Sequence, residues 1–295
     1  MPVDRRDFLK TLTAGAGSCL VGSSVLARAE STSTAGTMSM LNDSTRCVGC
    51  RACQTACRDY YGFEATAPDT LYDMPSGLEA NHYTVIKMYR NGKDYSFVKR
   101  QCMHCLHPAC VSACPVRALS VQDSGAITYD KDRCIGCRYC MMACPFNVPR
   151  FEYDDPTPEI QKCSFCHDLL KEGESPVCVR ACPTEAISFG TREEMLKEAR
   201  TRIAAKSDTY LPHVYGEQEV GGTSVLYLSS VPFEKLGLES FDKQPLPELA
   251  ESVQHGVFKW FAPPVGLLVL LGLIRVGCVK NGSLRESDKE EVADD

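Results

Sequence analysis

Residues 134–145 read Cys134-Ile135-Gly136-Cys137-Arg138-Tyr139-Cys140-Met141-Met142-Ala143-Cys144-Pro145, four cysteines and a proline at spacings of two, two and three. The closing Cys-x3-Cys step recurs three more times. Upstream lie Cys47-x2-Cys50-x2-Cys53-x3-Cys57 and Cys102-x2-Cys105-x4-Cys110-x3-Cys114-Pro115, and downstream lies Cys163-x2-Cys166-x11-Cys178-x3-Cys182-Pro183. These runs take sixteen of the eighteen cysteines in the 295-residue chain. A run of this form gives three thiolates to one 4Fe–4S cube and its fourth to a neighbouring cube. Four runs therefore supply ligands for four cubes, with none left over.

Two residues between cysteines let a short loop wrap one corner of a cube. Backbone N–H groups then reach the sulfurs, which helps to set the reduction potential. The cysteine three residues further on lies too far round to join the same cube. It is expected where a helix begins, because proline suits the first helical position. On that reading 115–119 and 183–187 each form one helical turn leading into a strand. Run one has Arg58 where the others have proline, which removes the helix-start argument there and leaves the ligand count intact.

Two rivals use the same residues. Structural zinc also takes Cys-x2-Cys pairs, normally two separated ones, and an even cysteine count in an exported chain admits a disulfide framework. The packing of triplets and quartets favours cubes over zinc, and disulfides two residues apart would be strained. A zinc-bound structural scaffold stays as the alternative of another class. Cys19 lies in a segment expected to be removed, and Cys278 reads as a small apolar residue. His104, His107 and His167 adjoin cluster cysteines and fit hydrogen-bond donors to a cube rather than ligands. Arg46, Arg133, Lys162 and Arg180 flank the runs and read mainly as solvated charge, while Met141 and Met142 read as packing against a cube. There is no Gly-rich phosphate loop, flavin fingerprint or nucleophile–base pair, so no catalytic residue is expected.

The N-terminus, Asp4-Arg5-Arg6-Asp7-Phe8-Leu9-Lys10 and then a mild apolar stretch to Ala27-Arg28-Ala29, has the form of a twin-arginine signal over 1–29, cut before Glu30. That route carries folded cargo, so cubes assembled in a reducing compartment would be exported intact. Near the other end 260–274 reads WFAPPVGLLVLLGLI, without a charge. At ~1.5 Å per residue it spans about 22 Å, short of the ~30 Å hydrocarbon layer. Extended to 257–279 it is long enough for one transmembrane anchor if Lys259 and Arg275 snorkel. Arg275, Lys280 and Arg285 favour a cytoplasmic tail. The expectation is a single-pass protein of the inner membrane with its clusters on the periplasmic side.

Between these ends the parts are a linker over 30–39, a cluster core over 40–190, a C-terminal extension over 191–256, the anchor over 257–279 and an acidic tail over 280–295. The fold class is α+β: two tandem bacterial-ferredoxin-like units, the extension and one C-terminal transmembrane helix. Asn91-Gly92 marks a hairpin between 83–90 and 95–99, and a second hairpin joins 119–121 to 126–129. Residues 191–206 read as a surface helix, 221–228 as a turn and strand, and 229–256 as irregular. Composition is 44% hydrophobic and 24% charged, with net charge −6. Removing 1–29, with four basic and two acidic groups, takes it to about −8. Nothing basic suggests nucleic acid.

The four runs resemble the four-cluster iron–sulfur subunits of membrane-bound oxidoreductases: formate dehydrogenase, dimethyl sulfoxide and polysulfide reductases, and nickel–iron hydrogenases with a quinone-reactive membrane partner. Residues 40–47 (MLNDSTRC), 140–150 (CMMACPFNVPR) and 213–233 (HVYGEQEVGGTSVLYLSSVPF) are most similar to the hydrogenase-two operon and high-molecular-weight cytochrome complex branches. The resemblance implies that run one pairs with run four and run two with run three. One cube would take Cys47, Cys50, Cys53 and Cys182, and the next Cys57, Cys163, Cys166 and Cys178. A third would take Cys102, Cys105, Cys110 and Cys144, and the last Cys114, Cys134, Cys137 and Cys140. It further implies electron relay between a periplasmic nickel–iron hydrogenase and a quinone- or cytochrome-linked membrane subunit, with a formate dehydrogenase or related molybdoenzyme as the alternative source.

Overall fold

The computed structural model describes residues 36–64, 77–91, 94–153, 158–248 and 263–276. The chain divides into Met1–Thr34 and Ala35–Asp295, and every described residue belongs to the second unit. The leader over 1–29 and the tail over 280–295 lie outside the described residues.

The strands are β1 (Met38–Asp43), β2 (Val85–Asn91), β3 (Asp94–Arg100), β4 (Leu119–Val121), β5 (Ile127–Tyr129), β6 (Arg150–Phe151), β7 (Ile160–Gln161), β8 (Ile187–Thr191) and β9 (Val225–Leu228). The named helices are α1 (Ala52–Tyr61), α2 (Ala109–Ser112), α3 (Tyr139–Ala143), α4 (His167–Lys171), α5 (Val177–Arg180) and α6 (Arg192–Ala205). This mixture of short helices and strands around cysteine loops matches the α+β expectation.

Strand β1 sits in the middle of a three-stranded sheet. It runs antiparallel to β8, with Met38 opposite Thr191, and parallel to β9, with Met40 opposite Val225. Successive side chains of a strand face opposite ways. Leu41, Leu226 and Leu228 therefore pack with Met195, Ala199, Tyr210 and Val214 on one side. Met40, Val225 and Tyr227 face the other way, into the main core with Phe165, Ile187, Cys53, Cys163 and Cys178. Both faces are covered, which is why β9 reads as an unbroken apolar run. Buried Asp43 at the end of β1 pairs with Arg202 of α6 at 3.0 Å and accepts from the Tyr210 hydroxyl at 2.8 Å.

Helix α6 starts one residue later than the text suggests. Thr191 caps it: its hydroxyl accepts from the Glu194 N–H, and the Glu194 carboxylate accepts from the Thr191 N–H at 2.9 Å, a reciprocal capping box. It is a surface helix on one side only, since Met195 and Ala199, one turn apart, are buried against the sheet.

The first expected hairpin is β2–β3, registered from Val85 opposite Arg100 to Asn91 opposite Asp94. The second is β4–β5, Leu119 opposite Tyr129. Residues 229–246 are irregular apart from a 3-10 turn at Phe233–Leu236, yet Phe233, Leu236 and Leu238 are buried. Residues 263–276 are helical with their apolar side chains exposed, apart from half-buried Leu271. Among the described residues no helix is long and apolar enough to cross a membrane, and the expected span over 257–279 runs past the described residues at both ends.

The helix beginning after the fourth cysteine is corrected. Each helix starts before that residue and carries the third cysteine of its run: Cys53 on α1, Cys110 on α2, Cys140 on α3 and Cys178 on α5. A residue preceding proline is pushed out of the helical region, and Cys144 is extended (φ −81°, ψ 113°). The chain then turns, with the Arg117 N–H donating to the Cys114 carbonyl and that of Glu185 to Cys182. Run one lacks the proline, and α1 accordingly runs on through Cys57 to Tyr61, where left-handed Gly62 stops it.

Candidate metal centres

Runs one and three share Cys-[Val/Ile]-Gly-Cys-Arg, and their loops share a shape. Gly49 (φ 71°) and Arg51 (φ 62°) match Gly136 (φ 68°) and Arg138 (φ 62°). In runs two and four the place of the glycine is taken by His104 (φ 45°) and Phe165 (φ 62°). Left-handed backbone costs such residues about 1–2 kcal/mol. They are held there by packing, because the two rings stack on each other with centroids 4.5 Å apart. His104 is also pinned through Nδ1, which accepts from the Ile127 N–H at 2.9 Å.

These loops and turns aim backbone N–H groups at sulfur. Ala118 donates to Cys114 Sγ at 3.2 Å, Ala186 to Cys182 at 3.3 Å, Gly136 to Cys134 at 3.4 Å and Phe165 to Cys163 at 3.4 Å. Backbone N–H groups of Phe146, Asn147 and Val148 serve Cys144 likewise. Such donors favour the thiolate over the thiol.

The chain brings the sixteen cysteines into four groups. Cys47, Cys50, Cys53 and Cys182 line one cavity that is partly open to solvent. Cys114, Cys134, Cys137 and Cys140 line another. We call these sites A and D. Between them Cys57 lies in the field of Cys178 and Cys166, and Cys163 in that of Cys57 and Cys166, which forms site B. Cys105 lies in the field of Cys102, Cys144 and Cys110, which forms site C. Links between groups run Cys53 to Cys178, Cys163 to Cys102 and Cys110 to Cys140. The order is therefore A, B, C, D. Helix α1 packs on α5, and α2 packs on α3.

Burial pushes the thiols up: Cys53, Cys57 and Cys110 to about 12, and Cys140 to about 11, with neighbouring thiolates adding to the rise at each. Pockets that hold four such sulfurs need a cationic core to draw the protons off, and iron does so. All sixteen cysteines are free thiols. Among the described residues no three His, Cys, Asp or Glu groups converge where a single metal ion would sit. At A and D the sulfurs ring a cavity rather than a point.

Two 4Fe–4S dicluster domain families match the chain, over residues 39–115 and 93–192. Hydrogenase-2 operon protein HybA of Escherichia coli O157:H7 is 38% identical over 98% of this chain and 100% of its own length. The chain belongs to the 4Fe–4S dicluster iron–sulfur subunits. A protein of Nitratidesulfovibrio vulgaris is 44% identical over 83% of this chain and 70% of its own. The nitrate-inducible formate dehydrogenase iron–sulfur subunit of Escherichia coli K12 is 35% identical over 79% and 82%. As a dicluster subunit with two such domains and sixteen cysteines, the chain carries four 4Fe–4S clusters. The ringed cavities and the N–H groups aimed at sulfur fit that cofactor.

The flanking residues divide. Arg46, Arg133 and Arg180 are partly exposed and paired with Asp43, Asp130 and Glu174, close to the solvated reading. Lys162 departs from it: it is 6% exposed, and its ammonium donates to the carbonyls of Cys163 and Ile127. Met141 packs beside site D, but Met142 is 87% exposed and packs against nothing there, because α3 turns it outward. Among the described histidines only His104 is fully buried, and burial, with Lys162 and Lys99 nearby, holds it well below the usual histidine range. Lys99 escaped the sequence reading. Its signal is there, since in the alternation of 95–99 it shares the inward face with Phe97.

Proposed function

We propose that this chain is the electron-relay subunit of a periplasmic nickel–iron hydrogenase, passing electrons to a quinone- or cytochrome-linked membrane subunit. The relationship to HybA along nearly the whole of both chains carries this reading. When bound, each cluster takes up one electron and gives it on. The polypeptide supplies the rest. Cys47, Cys50, Cys53 and Cys182 would hold the cluster at A, and Cys57, Cys163, Cys166 and Cys178 that at B. Cys102, Cys105, Cys110 and Cys144 would hold C, and Cys114, Cys134, Cys137 and Cys140 would hold D. The linear order and burial of the inner cysteines support relay rather than substrate chemistry, so catalysis belongs to partner subunits.

The remaining parts follow the same reading. Residues 1–29 act as a twin-arginine leader, 30–39 as a linker, 40–190 as the cluster core, 191–256 as the extension, 257–279 as the anchor in the lipid bilayer and 280–295 as the cytoplasmic tail. The exposed apolar side chains of 263–276 support the anchor, since a helix that is apolar all round belongs in a core or a membrane. The second reading, an iron–sulfur subunit of a formate dehydrogenase, is favoured by the 35% relatives that span 79% of the chain. Purification from detergent-solubilised membranes, followed by dye reduction driven by hydrogen or by formate, separates the two. Hydrogen-driven reduction is expected, and formate-driven reduction alone moves the chain to the second reading.

A further inference from the structure

We propose that Lys99 is a buried counter-charge shared by the clusters at sites A and B, holding up the reduction potentials of both. The inference rests on the four-cluster relay and adds a tuning residue to it.

Lys99 lies on β3 and is 4% exposed. Its ammonium carries three donors, and the partner within reach is the Thr84 hydroxyl at 3.5 Å. Among the described residues no carboxylate forms an ion pair with it. An isolated buried ammonium is among the costliest groups a fold can carry, and such charges are normally paired. The wall of the site A cavity includes Lys99 beside Cys47, Cys53 and Cys182. Cys53 belongs to A, and the Thr84 hydroxyl that Lys99 meets also hydrogen-bonds Cys57 of site B, so the charge faces both. The Tyr227 hydroxyl donates to the Lys99 carbonyl at 2.6 Å and fixes the backbone that delivers it. Lys162 makes the contrast, since its ammonium is taken up by two carbonyls.

Reducing a cluster adds one electron to a core that is already anionic once its four thiolates are counted. A fixed cation in a medium of low dielectric favours the reduced form. The full-length protein and its Lys99→Met and Lys99→Arg variants, purified anaerobically in the native complex, are titrated with cluster signals followed by electron paramagnetic resonance. In Lys99→Met two of the four potentials are expected to fall, each by at least tenfold in the reduction constant, about 59 mV for one electron. Lys99→Arg is expected to retain them. Full iron with all four potentials unchanged in Lys99→Met overturns the proposal. Should that variant fail to load iron, wild-type protein carrying 15N-lysine decides. A nitrogen coupling to a reduced cluster that disappears in Lys99→Arg supports Lys99, and its absence overturns the proposal. Wild-type protein without iron would sink the relay itself, a distinct result.

Discussion

Gly49 and Gly136 occupy the same place in runs one and three, with the same left-handed backbone, yet their surroundings differ. A Cβ on Gly49 would lie 2.4 Å from the Phe97 ring, whereas one on Gly136 would find the Phe151 ring at 3.9 Å. Site A is backed by the β2–β3 hairpin and the central sheet. Site D is backed by a small satellite core of Leu119, Ile127 and Ile160, with Ile135, Tyr139 and Met142 exposed around it. Identical cysteine spacing therefore builds identical loops, and the elements outside the runs decide how well each cluster is insulated. The half holding A and B rests on the main core, whereas the end at D rests on the small one.

The largest effect should separate a buried ligand from an exposed one. Cys178→Ser removes a sulfur from the main core, where α1 and α5 pack together. Iron is expected to fall below the about twelve atoms that loss of one cube leaves, because site A loses its support as well. Cys137→Ser, at an exposed position, is expected to keep about twelve or more. Equal iron in the two variants would break the comparison.

Arg202→Ala comes next. It removes the close cation of the buried Asp43 carboxylate, leaving Arg46 at 3.8 Å and the Tyr210 hydroxyl, so the cost should fall below the about 3–5 kcal/mol of a fully broken buried pair, read as a drop in denaturant midpoint. The signal at site D is expected to persist, since that site does not use the β1–α6 clamp. The glycine pair sharpens the contrast further. Gly136→Ala should cost about 1–2 kcal/mol for the left-handed backbone alone. Gly49→Ala should cost more and disturb the site A signal, because Phe97 must move.

The smallest effect belongs to the α6 cap. Hydrogen bonds from the Thr191 N–H and hydroxyl hold the exposed Glu194 carboxyl below the usual range. Its folded value is thus lower than its unfolded value of about 4.3. The stabilisation is complete above that pH and is lost as pH falls through the folded value. Thr191→Ala is expected to lower the denaturant midpoint slightly at neutral pH, with the gap to wild type closing on acidification below about pH 4.

Much of this was legible in the cysteines. The runs, both hairpins, α6 and strand β9 were readable because each carries a local signal: spacing, Asn91-Gly92, charge pattern or an apolar run. The direction of the Cys-Pro step was not, since proline suits both a helix start and a turn, and only the extended Cys144 shows which applies. The central place of β1 was also hidden, because its partners β8 and β9 lie far along the chain and no local pattern records pairing. Lys162 and Lys99 were misjudged or missed for one reason: a lysine is ordinarily solvated, and burial depends on what folds over it.

The most direct test of the central claim is iron and acid-labile sulfide analysis of the anaerobically purified full-length protein, with its paramagnetic signals recorded on reduction. Four clusters require about sixteen iron atoms per chain and reducible signals from a brown protein. A colourless protein with about four zinc atoms and no such signal would contradict the account.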